Sequence, residues 1–79
     1  MSLKQITEDI VKLIVLDKDA VEVQEGTDRA GRLITITVAP SDRGKVIGKE
    51  GRVISCIRQV VGAAGAKAHT RVMVKVATD

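Results

Sequence analysis

Leu3, Ile6, Ile10, Leu13 and Ile14 recur at the three- and four-residue spacing of one helical face, which predicts an amphipathic helix over about residues 3–16. Ser2-x-x-Gln5 in front of it has the form of a capping box. The period then changes to two. Val21 and Val23 alternate with Glu22 and Gln24, and Ile34, Ile36 and Val38 alternate with Thr35 and Thr37. These are two half-buried strands, predicted over 20–25 and 33–38. The turn-rich stretch Gly26-Thr27-Asp28-Arg29-Ala30-Gly31 between them predicts an antiparallel hairpin. Pro40-Ser41-Asp42 opens a short helix expected to end near Ile47. After Gly48-Lys49-Glu50-Gly51, the residues Val53, Cys56, Ile57, Val60 and Ala64 mark the expected buried stripe of a longer helix. Gly65 is the expected residue just past its end. Val72, Val74 and Val76 alternate with Arg71, Met73 and Lys75 in a last strand.

The order is α-β-β-α-α-β. A strand that returns after a helical crossover pairs parallel, so the sheet is expected to be three-stranded and mixed. Each strand offers one apolar face, which places all three helices on one side. The fold class is a two-layer α+β domain, read as one domain over residues 1–79.

Composition narrows the chemistry. Phe, Tyr and Trp are all absent, so no aromatic side chain is available for a base to stack on. One cysteine and one histidine exclude an internal disulfide and a His/Cys metal cluster. Cys56 is expected as a small core residue, and His69 as a structural residue entering the last strand. The acids Glu8, Asp9, Asp17, Asp19, Glu22 and Asp28 flank a helix end and a strand without forming a general-acid or metal constellation. No nucleophile, base or cofactor motif stands out, and the expectation is a non-enzymatic, cofactor-free, cytoplasmic protein without a signal peptide or membrane span.

The charge is uneven. Net charge is +3, yet residues 1–42 sum to −3 and residues 43–75 to +7, with Glu50 the only acid of that basic stretch. A basic half on a nearly neutral chain points to one face meeting a polyanion. The informative segment is Arg43-Gly44-Lys45-Val46-Ile47-Gly48-Lys49-Glu50-Gly51-Arg52-Val53-Ile54. Glycines without Cβ let a sugar-phosphate backbone approach the main chain, and the following helix aims its N-terminal N–H groups there. Lys45, Lys49 and Arg52 supply charge, while Val46, Ile47 and Ile54 are expected as an aliphatic strip beside the loop. A second pair of glycines, Gly62-Ala63-Ala64-Gly65, serves as an internal control: it carries no charge and opens no helix. Neither a Walker A loop nor a dinucleotide-binding fingerprint fits, because the glycine spacing is wrong for both. Lys67, Arg71 and Lys75 read as a solvated strand face, and Met73 as ordinary surface.

This element order, with Val-Ile-Gly-Lys-Glu-Gly-Arg between the last two helices, resembles a type II (prokaryotic) KH domain over the whole chain. The resemblance implies single-stranded RNA in a groove, with Gly48, Lys49, Glu50 and Gly51 clamping the backbone of about four nucleotides. Ile47 and Ile54 match groove-lining aliphatic positions. Arg43, Lys45, Arg52 and Arg58 are added from charge and helical position. Small bacterial members of the family are associated with self-pairing and with a larger KH-containing protein. The competing reading is a protein-interaction module that uses the same aliphatic face.

Overall fold

The computed structural model describes residues 2–29 and 31–77. Its elements run α1 (Leu3–Ile14), β1 (Glu22–Asp28), β2 (Gly31–Thr37), α2 (Arg43–Ile47), α3 (Arg52–Lys67) and β3 (Val72–Val76), with 3₁₀ turns at Lys18–Ala20, Pro40–Asp42 and Lys49–Gly51. The expected α+β order is the observed one. The sheet order is β1-β2-β3, antiparallel between β1 and β2 and parallel between β2 and β3. The helices pack on the face built by Val23, Ile34, Ile36 and Val74. With Val11, Val15, Val38, Val46, Ile54, Ile57 and Val61, these form a core made entirely of branched aliphatic side chains.

Local departures from the sequence reading have local causes. The Ser2 hydroxyl accepts from the Gln5 N–H at 3.0 Å, but the Gln5 amide turns away to Asp9 at 2.9 Å, so only half of the capping box forms. The helix ends at Ile14, two residues early, because Val15 leaves helical geometry (φ −84°, ψ 156°) to enter the core. β1 runs through Gly26 to Asp28, and its pairing with β2 extends to Asp28↔Gly31. The turn is therefore shorter than the glycines at 26 and 31 imply; Ala30, within it, lies outside the described residues.

The roll of α3 is the larger correction. Its buried residues are Ile54, Ile57, Val61 and Gly65, while Cys56 is exposed and Val60 is 53% exposed. Both stripes are apolar, so the hydrophobic period alone does not choose between them. Gly65 chooses. A Cβ there would stand within 2.8 Å of the Thr70 carbonyl oxygen and collide with Val72, so this position presses directly on the start of β3. Gly65 accordingly lies inside the helix and does not end it. His69 is the terminator: it adopts left-handed backbone (φ 57°), with the Thr70 N–H donating to the Gly65 carbonyl at 2.8 Å and the His69 N–H to Ala66 at 3.0 Å. That pair of bonds is a Schellman closure.

Asp42 ties the layers together. Only 1% exposed, it accepts the Asp17 N–H at 3.0 Å and the Leu16 N–H at 3.2 Å, joining the chain after α1 to the start of α2. These contacts, the Asp17 bond foremost, hold its carboxyl below the ordinary aspartate range against the opposing effect of burial, with help from Lys45 and Lys18.

Three outcomes follow from these contacts. Gly62 has open space around its missing Cβ, so Gly62→Ala should stabilise the helix by about 0.5–1 kcal/mol. Gly65→Ala should destabilise by about 1–3 kcal/mol through overpacking; urea unfolding of both variants measures the contrast. His69→Gly should relieve left-handed strain worth about 1 kcal/mol, raising Tm by about 4–8 °C in thermal melts. Asp42 binds a proton less readily when folded, so its contribution is present above the unfolded aspartate pKa of about 3.9 and fades as pH falls through the lower folded value. Asp42→Asn should therefore be less stable than the parent at neutral pH, with the gap between the two melting curves narrowing toward pH 2.

Candidate nucleic-acid interface

The bend between α2 and α3 takes four residues. Gly48 closes α2, its N–H donating to the Gly44 carbonyl at 2.8 Å, and adopts φ 77°, ψ 172°. Glu50 (φ 58°, ψ 24°) and Gly51 (φ 76°, ψ 17°) then follow in consecutive left-handed conformations. The two glycines are needed for different reasons. A Cβ at Gly48 would lie 2.8 Å from the Val53 amide nitrogen and run into the Val53 side chain, so this site excludes any side chain. At Gly51 a Cβ would have only Ile54 at 4.0 Å, so backbone conformation, and not space, favours glycine there. A non-glycine residue in left-handed backbone is uncommon, and Glu50 holds that strain at the tip of the bend.

Lys49 and Glu50 are exposed, and the Glu50 carboxylate sits 3.8 Å from the Arg52 guanidinium, with both side chains largely in water. Such a pair contributes little and leaves Arg52 available to other anions. Helix α3 starts at Gly51 with no side-chain cap on its first N–H groups, so the positive end of a sixteen-residue helix opens at the bend. Lys45 is exposed on α2, 3.9 Å from Asp42, and Arg43 is half-buried at the start of that helix.

The aliphatic positions separate into two groups. Val46 is 0% exposed and Ile54 is 6% exposed: both belong to the core and hold the bend from beneath. The expected surface strip is therefore corrected for these two: Val46 is the apolar residue by which the five-residue α2 seats on the core, and Ile54 lies on the buried stripe of α3 with Ile57 and Val61. Ile47 and Val53 are half-buried and form the apolar border of the bend. Gly48, Lys49, Glu50, Gly51 and Arg52 are contiguous with them.

Arg58 occupies the same face of α3 as Gly51, seven residues and roughly 10 Å further along the axis. Its Nε donates to the Val74 carbonyl at 3.0 Å. Arg71 and Ala77 direct their backbone groups at β2, in the bonds Arg32 N–H to Arg71 O and Ala77 N–H to Ile36 O. By alternation, the Val74 carbonyl points to the outer edge of the sheet. Along that edge lies a groove of about 420 Å³ lined by Leu33, Arg58, Val72, Met73, Val74 and Lys75. The groove wraps β3, with Val72 and Val74 from the helix side and Met73 and Lys75 from the other. Sequence reading left Met73 and Lys75 as plain surface; what it missed is that an edge strand offers its rim as well as its faces. Lys67 and Arg71 do not line the groove.

The chain matches the family model described as the KhpA/KhpB KH domain over residues 4–76. It is 43% identical to the RNA-binding protein KhpA of Clostridium acetobutylicum over 94% of its own length and 99% of that protein. Identity to the RNA-binding protein KhpA of Caldanaerobacter subterraneus subsp. tengcongensis is also 43%, covering 91% and 96% of the two chains. For the protein of the same name from Aquifex aeolicus it is 37%, covering 95% of each. Element order, the loop between α2 and α3 and a match across nearly the whole sequence agree, and the chain belongs to the KhpA/KhpB family of KH domains.

Proposed function

We propose that this protein is a non-catalytic binder of single-stranded RNA, cytoplasmic, and acts as a chaperone-like or post-transcriptional regulator. The single observation that carries this reading is the bare bend at residues 48–51, where two left-handed residues and an uncapped helix start meet a ring of cations. A phosphodiester approaches main chain there without displacing a side chain, and the N–H groups of α3 and the charges of Lys45, Lys49 and Arg52 hold it. The relatives' name, RNA-binding protein, supports the same polyanion. The strand then runs along α3, past Ile47 and Val53, toward Arg58 and the β3 edge groove. Glu50 is the one acid in the clamp, and its strained backbone keeps it at the tip, near Arg52.

A second reading has its own observation. Cys56 and Val60 leave an apolar patch on the outer face of α3, which suits pairing with a second copy or with a larger KhpB-like protein. The interaction face of that reading is α3's outer stripe, since Val46 and Ile54 are core. The two surfaces lie on one helix, α3.

Titration with a short single-stranded RNA at several salt concentrations, followed by amide shifts, separates the readings. RNA binding gives shifts concentrated between residues 43 and 58, and a log–log salt slope of about −0.7 per phosphate, close to −2.8 for four. Replacing Lys49 and Glu50 by aspartate should abolish the shifts and keep the fold, because aspartate tolerates left-handed backbone better than most residues. Shifts that track protein concentration and ignore RNA would instead establish the interaction module.

A further inference from the structure

We propose that the pole of the molecule opposite the bend is a second, sequence-blind seat for RNA phosphates, built from Arg29, Lys67 and Arg71, which takes the strand as it leaves the β3 groove. The proposal rests on the RNA reading above and lengthens the site beyond the clamp of about four nucleotides. Helix α3 carries the chain roughly 24 Å from the bend over its sixteen residues. Three segments meet at that far end. A Cβ at Gly31 would come within 3.1 Å of the Arg71 Cβ, and the Arg32 N–H donates to the Arg71 carbonyl at 2.8 Å. The end of the hairpin therefore lies against the residue that leads into β3, and Arg29 is in the hairpin turn itself. Gly65 presses on Thr70 and Val72, which sets Lys67 and Arg71 on either side of one tight turn.

Arg29, Lys67 and Arg71 are exposed, and their side chains have no hydrogen bond or ion pair among the described residues. Arg32, a fourth cation at this end, is held by Glu25 and is not counted. Asp28 is the acid that remains in this part of the sequence. The C-terminus of a helix ordinarily disfavours anions. Here the Thr70 N–H closes on the Gly65 carbonyl at 2.8 Å and the His69 N–H on the Ala66 carbonyl at 3.0 Å, so both carbonyls face backbone donors. The cations beyond them set the local field. What identifies the anion is continuity. Val72 and Met73 line the β3 groove, and Arg71 is the next residue beyond its end. A strand that follows α3 from the bend and passes through the groove arrives at this pole, and its phosphates are the charges that reach the three cations. Long cationic side chains in water hold phosphates and carry no base preference.

The test compares a uridine tetramer with a uridine decamer, for the parent and for Lys67→Gln/Arg71→Gln. Glutamine keeps an aliphatic stem beside Gly31 and removes the charge. In the parent, the amides of Lys67, His69 and Arg71 should shift with the decamer and stay in place with the tetramer. The log–log salt slope of decamer binding should be about 1.4 shallower in the double variant, two phosphates at about 0.7 each, while the tetramer's slope stays that of the parent. A longer homopolymer also offers the clamp more registers, which raises affinity and leaves the slope alone, so the slope is the decisive reading. Lys4→Gln/Lys12→Gln takes the same charge from α1 and should leave the decamer slope in place. Equal decamer slopes for the parent and Lys67→Gln/Arg71→Gln, or an equal loss in the α1 variant, overturns the inference and leaves RNA binding standing. Shifts at the pole with the tetramer that match those with the decamer also overturn it, because they place a separate strand there. Failure of both oligomers to bind at low salt overturns the RNA reading, and this inference with it.

Discussion

The contact between Gly48 and Val53 is the constraint from which the rest of the site follows. Because the main chain at 48 lies against the first turn of α3, the chain must reverse with no side chain at that point. The reversal is then completed by left-handed backbone at Glu50 and Gly51. The outcome is a helix start with no side-chain cap and little bulk around it. A capping serine or aspartate at position 51 would satisfy one N–H and occupy the space an anion needs. The bend trades local helix stability for an open set of donors, which is what the proposed contact with phosphates would use.

The far ends of the two helices are fixed by means that have nothing to do with RNA, and that is why the bend is held in one place. Asp42 fastens the start of α2 to the chain leaving α1, so the five-residue helix does not depend on its own hydrogen bonds. A helix that short is unstable alone. At the other end, the Schellman closure at His69 and the contact of Gly65 on Val72 set both the roll of α3 and the entry of β3. The same roll that buries Ile54, Ile57 and Val61 turns Arg58 to the sheet edge. Core packing thus aims the arginine.

The element order, sheet topology and bend were legible because each rests on a signal with a short reach: a period of two, a period near 3.6, or glycines between cations. The roll of α3 was not. Two apolar stripes, one through Cys56 and Val60 and the other through Ile54 and Val61, differ by one step around the helix, and their choice is made by a contact with Val72 seven residues past Gly65. Asp42 looked like a helix start because Pro-Ser-Asp has that form; its partners are N–H groups 25 and 26 residues earlier. Val46 and Ile54 were aliphatic and beside the loop, and adjacency in sequence does not tell which side of a helix meets the sheet. The β3 groove was invisible for a related reason: it is made by the rim of a strand and an arginine from another element.

The absence of aromatic side chains bears on how such a surface works. Stacking contributes roughly 1–3 kcal/mol per base in single-strand binders that use it, and here the groove offers Leu33, Met73 and valines in place of rings. Affinity must then come mainly from phosphate contacts, which are sequence-blind and weaken with salt. On the proposed reading, a clamp spanning about four nucleotides and lacking stacking would bind weakly and release quickly. Two such grooves joined through the outer face of α3 would raise the effective concentration of the second site without any new RNA contact. Cys56 and Val60 are exposed on that face, between the basic bend and the end of the helix, which is why the proposed pairing is placed there. The expectation of that stripe as core has a plain physical origin: its residues have the chemistry of an interior, and an exposed apolar patch carries the same pattern in sequence as a buried one.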